Sequence, residues 1–377
     1  MPVAAWPALA AVAIGAGLAA ALLLVHHKAA VLAVLAVGAA LLVVAQRTRA
    51  GERAAASAAA HPRLVPVAVA ACGLGLVMLL REDNFALLML CTVALQTLAA
   101  LGLHLQFGYA GVANFAGAAF LGVGAYTAAV LGGHLPSVLV LVTGAGLAAL
   151  AGLLLALPLL RTRGHYAALI TIAFGLLLRT FLEVNDTLGG PQGLKVPGFT
   201  LGGLAFNDAI VFDEDTEWSF YVPYAVLALA LLGATHVLVR RLERSWIGLA
   251  LDAVRVDETA AAAFGVNGGA WKIAAFCVGN ALCGLAGALL AMVTGFVAPP
   301  SFAFGDSLVL VSIVILGGIG NPLGLLPAAF LVVVLPEKLQ GLQEYRFLLF
   351  AVLVILVLRL RPGGLLPRRL RRWPGLP

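Results

Sequence analysis

The sequence predicts an all-α fold, a polytopic transmembrane helix bundle of roughly ten to twelve spans. Composition is the first reason. Of 377 residues, 62% are hydrophobic and 11% are charged, whereas a soluble domain is roughly half apolar and a quarter charged. The mean hydropathy is +1.06, and so little charge leaves no way to cover a water-facing surface. A large soluble core is thereby excluded. The second reason is spacing, because apolar runs long enough to cross hydrocarbon recur along the whole chain. The third is charge placement. The formal net charge of +6 resides in short loops between apolar runs, where it sets orientation in a membrane and makes no nucleic-acid footprint.

A spanning helix needs about 20 apolar residues. Candidate spans are 7–25, 29–45, 64–80, 85–105, 112–131, 138–160, 167–183, 222–240, 271–294, 306–319, 323–336 and 346–359. The first lacks a basic leader and runs at once into another apolar stretch, so it reads as a retained helix and not as a secretory signal. The segments 306–319 and 323–336 are short, which reads as tilted, re-entrant or broken helices. Basic residues then sort to one side. They are Arg47, Arg49, Arg53 and Arg63 in one loop, Arg161 and Arg163 in "RTRGHY", Arg240, Arg241, Arg244 and Arg255 in a third, and six arginines in the C-terminal "RLRPGGLLPRRLRRW". By the positive-inside rule that side is the cytoplasm, with both termini there. The other side receives "REDN", "GGHLPS" and an acidic loop from 184 to 221 holding Asp186, Asp208, Asp213, Glu214, Asp215 and Glu217. The chain divides into two N-terminal helices with a basic cytoplasmic loop (1–63), a core (64–367) whose main cytoplasmic loop is 240–272, and a basic tail (368–377).

Chemistry that would mark an enzyme is missing. No H-E-x-x-H or G-x-S-x-G occurs. The nearest approach to a nucleotide-binding loop, "GGPQGLKV", has Leu194 in place of the last glycine and no Ser or Thr after Lys195. Cys72, Cys91, Cys277 and Cys283 lie singly inside apolar runs and read as small hydrophobes, with no metal-ligand spacing. Ionisable residues within spans, the mark of an ion-coupled carrier, are few. Arg179 and Glu183 read as a snorkelling interfacial pair ahead of a gate. Asp306 reads as an interfacial or capping residue, and His104 and His165 as interface residues at span ends. A chain that moves solute uphill with these means needs an external motor.

The stretch "VRVDETAAAAFGVNGGAWK" (254–272) is the polar island in this chain. Helices are expected from about Gly248 to Arg255 and from Asp257 to Phe264. Asp257 is a good N-cap, Glu258 favours the positive end of the helix dipole, the alanines from 260 to 263 propagate helix, and Gly265 can take the left-handed conformation that stops it. An ordinary connector has no need of so short a helix closed at both ends, and a docking element does. Elsewhere, the glycine-rich run from Gly111 to Gly124 suggests close packing or irregular backbone lining a cavity. There Asn114, Tyr126 and Thr127 offer uncharged hydrogen-bonding groups, equally suited to a solute path or to helix–helix bonds.

"DETAAAAFGVN" resembles the EAA loop of ABC-importer permeases, with Ala260, Ala261 and Gly265 at the motif positions, Thr259 where that motif has glutamate, and Glu258 one place earlier. "NFAGAAFLGVGAYTAAVL" (114–131), "RGHYAALITIAFG" (163–175) with "LGGPQGL" (188–194), "GFVAPPSFAFGDSLVLVSIVILGGIGNPLG" (295–324) and "EYRFLLFAVLVILVLRLRPGGLLP" (344–367) resemble segments of the branched-chain amino acid permeases of the LivM type. The departures include Ala116 for glycine and Gly117 for histidine or glutamine. The resemblance implies an ABC importer permease fold forming half of a translocation pathway. It implies as partners a second homologous permease subunit, two ABC ATPase subunits that use the ATP, a periplasmic amino-acid-binding protein and membrane lipid. No cofactor belongs to the chain itself. Arg244, Gly248, Arg255, Asp257, Glu258, Ala260, Ala261 and Gly265 would form the ATPase coupling loop. Asn114, Phe115, Tyr126, Thr127 and Thr171 would lie on the substrate pathway, and Gly189, Gly190 and Gly193 at the periplasmic mouth.

Overall fold

Alanine, leucine and valine fill long runs that continue as helix even past Pro158 and Pro336, and in an apolar medium a helix satisfies its own peptide groups. The structure is a computed structural model that describes residues 5–338 apart from 26, 49, 62–63, 161–165, 208–209 and 214–215, with isolated positions from 345 to 366. Its helices are α1 (Trp6–Leu24), α2 (Lys28–Arg47), α3 (Ala50–Ala60), α4 (Leu64–Leu79), α5 (Asn84–Leu105), α6 (Gly117–Leu131), α7 (Ser137–Leu160), α8 (Tyr166–Val184), α9 (Tyr221–Arg244), α10 (Trp246–Val256), α11 (Glu258–Ala263), α12 (Gly268–Thr294), α13 (Phe304–Gly317) and α14 (Leu325–Lys338).

Among the described residues, six helices (α1, α5, α7, α8, α9 and α12) are long and apolar enough to cross a membrane, or seven spans if α13 and α14 count as one. This is fewer than the ten to twelve expected. α4 and α6 have only 16 and 15 residues, α13 and α14 meet at a bend of 119°, and 346–359 is described only at isolated positions. The expected span from 112 begins instead at Gly117, because a π-turn (Gln106–Ala110) and a left-handed Gly111 break the helix first. The basic loop expected before residue 63 holds α3, whose alanine-rich sequence favours helix and which packs on α1 and α2 with Ser57 enclosed. Arg161, Arg163, His165, the side chains from 208 to 217 and the arginine-rich tail lie outside the described residues.

At the centre α12 packs against α5, α6 and α7. Lipid tails are as apolar as leucine, so helices in a membrane associate through close packing of small residues. α12 supplies Gly279, Gly284 and Gly287. A Cβ on Gly279 would strike the carbonyl of Gly102 in α5, one on Gly287 the carbonyl of Leu121 in α6, and one on Gly284 Ala148 and the Gly144 carbonyl in α7. From the α6 side, a Cβ on Gly124 would enter the backbone of Gly284. α5 is the most enclosed span, with 83% of its apolar window inside the bundle, against 11% for α8.

At the end of the bundle away from α10 and α11, "LGGPQGL" is fastened to the segment after α12. Leu194 pairs with Val297 and Lys195 with Phe296 in a short antiparallel ladder, and the Val196 N–H donates to the Gly295 carbonyl (3.0 Å). Gly189, Gly190 and Gly193 have positive φ angles of 81°, 49° and 74°, and a Cβ on Gly193 would enter the Val297 carbonyl. Lys338 ties the first helix to the core by donating to the carbonyls of Leu23 (2.6 Å) and Val25 (3.0 Å) at the end of α1.

Replacing Gly284 by leucine should push α12 away from α7 and cost about 1–3 kcal/mol or more. Gly146→Leu, where no atom stands within 4 Å, should be neutral or slightly stabilising. Thermal unfolding of the two purified variants in detergent checks this, and equal midpoints would refute the close-packing account of α12.

Candidate functional site

The break after α5 is held by hydrogen bonds from several elements. The π-turn ends at Gly111, whose φ of 66° is left-handed and whose N–H donates to the Gln106 carbonyl. The Val112 N–H donates to the same carbonyl (3.0 Å). Residues 111–116 are then non-helical, and bare N–H groups in apolar surroundings are costly. Side chains from three directions meet them. The Phe115 N–H donates to Thr171 Oγ1 in α8 (3.1 Å), the Ala116 N–H to Asn114 Oδ1 (2.9 Å), and the Ala118 N–H to Ser307 Oγ in α13 (3.1 Å).

Asn114 in turn belongs to a cluster of three buried amides. Its Nδ2 donates to Gln106 Oε1 (2.8 Å) and Asn280 Oδ1 (2.9 Å). Gln106 Nε2 donates to Asn280 Oδ1 (2.9 Å) and to the Phe276 carbonyl (3.0 Å) of α12. All three side chains are fully enclosed, so the cluster joins the break to α12 without fixed charge.

The structure brings Asn114, Phe115 and Thr171 together, and engages Asn114 and Thr171 in hydrogen bonds within the protein. Thr127 donates to the carbonyl one turn back, at Val123 (2.7 Å). Tyr126 lies edge-on to Phe302 at 6.1 Å between centroids, and among the described residues its buried hydroxyl has no hydrogen-bond partner. Gly117 has the methyl groups of Leu103 and Leu310 at 3.0 and 3.1 Å from where a Cβ would stand, so a larger side chain there requires these two leucines to shift. Gln106, Asn280 and Ser307 were missed in the sequence reading. The signal was available, because an amide inside an apolar run is costly and calls for a partner.

His104 was expected at an interface and is instead fully enclosed, because the π-turn and α9 cover the end of α5. Its ring lies edge-on to Tyr109 (5.8 Å), with Nε2 3.8 Å from Glu243 Oε1 of α9. Arg179 and Glu183 form an i, i+4 pair (2.8 Å) on the half-exposed flank of α8. Asp306 stands in the first turn of α13.

The second constellation is the polar segment between α9 and α12. Gly248 lets α10 fold tightly back on α9, since a Cβ there would meet the carbonyls of Leu242 and Glu243. Arg244 is exposed at the end of α9, and Arg255 lies 3.9 Å from Asp252. Asp257 caps α11, its Oδ1 accepting from the N–H groups of Thr259 (2.8 Å) and Ala260 (3.0 Å). Gly265, at φ 81°, ends it. The Gly265 N–H donates to the Ala262 carbonyl (2.9 Å) and the Val266 N–H to the Ala261 carbonyl (3.0 Å), the paired closure of a Schellman end. Asn267 then caps α12 through the Ala270 N–H (3.1 Å). Glu258 is ion-paired with Lys272, which anchors α11 to the first turns of α12.

The two motif alanines divide. Ala261 is buried against its own chain and Ala260 is exposed. The outward surface also carries Phe264 (88% exposed) and Val256 (79%), and Trp246, edge-on to Trp271 at 5.1 Å, adds a further apolar contact. Among the described residues no group of three or more His, Cys, Asp or Glu could hold a metal.

Residues 85–358 match the family model described as the branched-chain amino acid transport system / permease component. The chain is 36% identical over 282 residues to the high-affinity branched-chain amino acid transport system permease protein LivM of Escherichia coli K12, and equally so to that of Salmonella typhimurium LT2. Each match covers 71% of this chain and 66% of the relative, a little under two thirds of its length. No solved structure matches significantly. A helical bundle with several candidate spans, a buried amide cluster at a helix break and a capped polar helix between two spans agrees with that match, and the chain belongs to the family of branched-chain amino acid transport system permease components.

Proposed function

We propose that the chain is the membrane permease subunit of an ATP-driven ABC importer for branched-chain or related hydrophobic amino acids, in the inner membrane of a bacterium. It would form half of the pathway beside a second homologous permease, with two ATPase subunits on the side of α10 and α11 and a periplasmic binding protein on the other. That orientation puts the basic loops in the cytoplasm. The observation that carries the reading is α11, a six-residue helix closed at both ends, pinned to α12 by Glu258 and Lys272, and presenting Ala260 and Phe264 outward. Such a helix behaves as a rigid peg. A groove on an ATPase subunit that closes around it would move α10 and α12 together.

The pathway would run past the break. Phe115 and Tyr126 are the candidates to touch solute, the second through its unpartnered hydroxyl. Asn114, Thr127 and Thr171 would hold the wall from behind. An uncharged, weakly polar surface suits a zwitterion with an apolar side chain, which should pass without being trapped. At the far end, the glycine turn at 189–193 fastened to 295–297 would frame the mouth.

Reconstituted with its partner subunits, the chain should take up leucine only with ATP. Uptake of urea or short amides in preference to leucine would replace the amino-acid reading, and uptake by the chain alone on an ion gradient would refute the importer reading. Asp257→Ala removes the cap of α11 at a cost of about 1 kcal/mol, and Gly265→Val forces a β-branched residue into a left-handed turn. Both, and Glu258→Arg, should lower ATPase co-purification while leaving membrane insertion intact; wild-type co-purification by all three would remove the docking role. Gln106→Leu should leave Asn114 and Asn280 short of partners, at about 1–3 kcal/mol per unsatisfied group. A lowered melting midpoint together with lost uptake is expected, and normal uptake would show that the amide cluster is dispensable.

A further inference from the structure

The segment that carries the capped peg touches the helix break directly. α10 packs against the π-turn and lies close to Gly111, the residue that caps that turn. A Cβ on Gly111 would stand 3.2 Å from Arg255 Cγ and 3.9 Å from Arg255 Cα, so the stem and backbone of the last turn of α10 lie on the glycine itself. Gly111 is also left-handed, at φ 66°, which glycine adopts freely and, among the other residues, asparagine most readily. Its N–H ends on the Gln106 carbonyl, and the Gln106 side chain holds Asn114 and Asn280. One residue thus separates α10 from the amide cluster.

Two further contacts border this region. Glu243 at the end of α9 stands 3.8 Å from His104, two residues before the π-turn. A Cβ on Gly108, within the π-turn, would stand 3.4 Å from the backbone nitrogen of Gly320 in the bend between α13 and α14. The π-turn and that bend therefore meet, with α10 packed against the first of them. Interrupted helices change direction at lower cost than intact ones, so a displacement of α10 would be taken up there and not in the middle of a span.

We propose that Gly111 is the positioning residue through which movement of the α10–α11 segment reaches the wall of the pathway. This rests on the importer reading above. Displacement of Arg255 toward the bundle would press on Gly111, turn the 111–116 segment about the Gln106 carbonyl, and shift Asn114 and Phe115 against α8 and α12.

The test uses the complete importer with its ATPase subunits in proteoliposomes, measuring leucine taken up per ATP hydrolysed. Gly111→Ala adds a Cβ against Arg255 and strains the turn. Gly111→Asn adds bulk while tolerating the left-handed backbone, and so remains informative if the alanine variant does not fold. Both should assemble with the ATPase and hydrolyse ATP, with uptake per ATP lower by about fivefold or more. Gly146→Ala, on the exposed flank of α7 with no atom within 4 Å of the added Cβ, should leave the ratio unchanged. Wild-type ratios in the two Gly111 variants would overturn the proposal. Loss of ATPase association in them would overturn it too, because Gly111 would then act in docking. Gly265→Val in the same preparation reports separately on the importer reading: normal association there would sink the peg, whatever Gly111 does.

Discussion

A peptide group inside an apolar bundle must find a partner, because an unmade hydrogen bond there costs roughly 2–7 kcal/mol. Between Ala110 and Gly117 the chain leaves the helix while still enclosed, and this requirement organises what surrounds it. Thr171 and Asn114 each meet one N–H of the break, Ser307 meets the Ala118 N–H in the first turn of α6, and the Gln106 carbonyl meets two. These groups come from α8, the break itself, α13 and the π-turn, so a handful of hydrogen bonds ties those elements together. The glycine contacts of α12 then follow. They bring its backbone close enough for Asn280 to complete the amide cluster, and a bulkier interface would hold it out of reach.

Much of this was readable from residue order, for physical reasons that can be named. Hydrocarbon demands long apolar helices, so composition and run length announced the bundle. The caps of α11 were readable because capping is local: Asp257 and Gly265 act within four residues of themselves. The break was not. Glycine-rich text between 111 and 124 is compatible with tight packing or with irregular backbone, and the choice depends on Thr171 and Ser307, which stand 56 and 189 residues from their partners. His104 was misplaced for the same kind of reason. A histidine at the end of an apolar run faces headgroups only if nothing covers it, and α9 does. Among the described residues, the smaller number of spans reflects short helices such as α4 and α6 and the bend between α13 and α14, which run length does not register.

The α10–α11 segment and the break differ in how they use backbone constraint. α11 is closed at both ends and ion-paired to the next helix. The break is held by several separate hydrogen bonds, none of them charged. The two meet where Arg255 lies on Gly111.

The C-terminal motif has a consequence of a different kind. The N–H groups of Leu365 and Leu366 donate to the carbonyls of Leu316 (2.8 Å) and Gly317 (3.2 Å), the last of α13, and Gly364 lies against Gly318. The end of α13 is therefore closed by backbone far along the chain, not by the turn that follows it. A helix end normally finds its closing donors within a few residues. Here the integrity of the second bend is tied to a distant segment, so a change near Leu365 acts at α13.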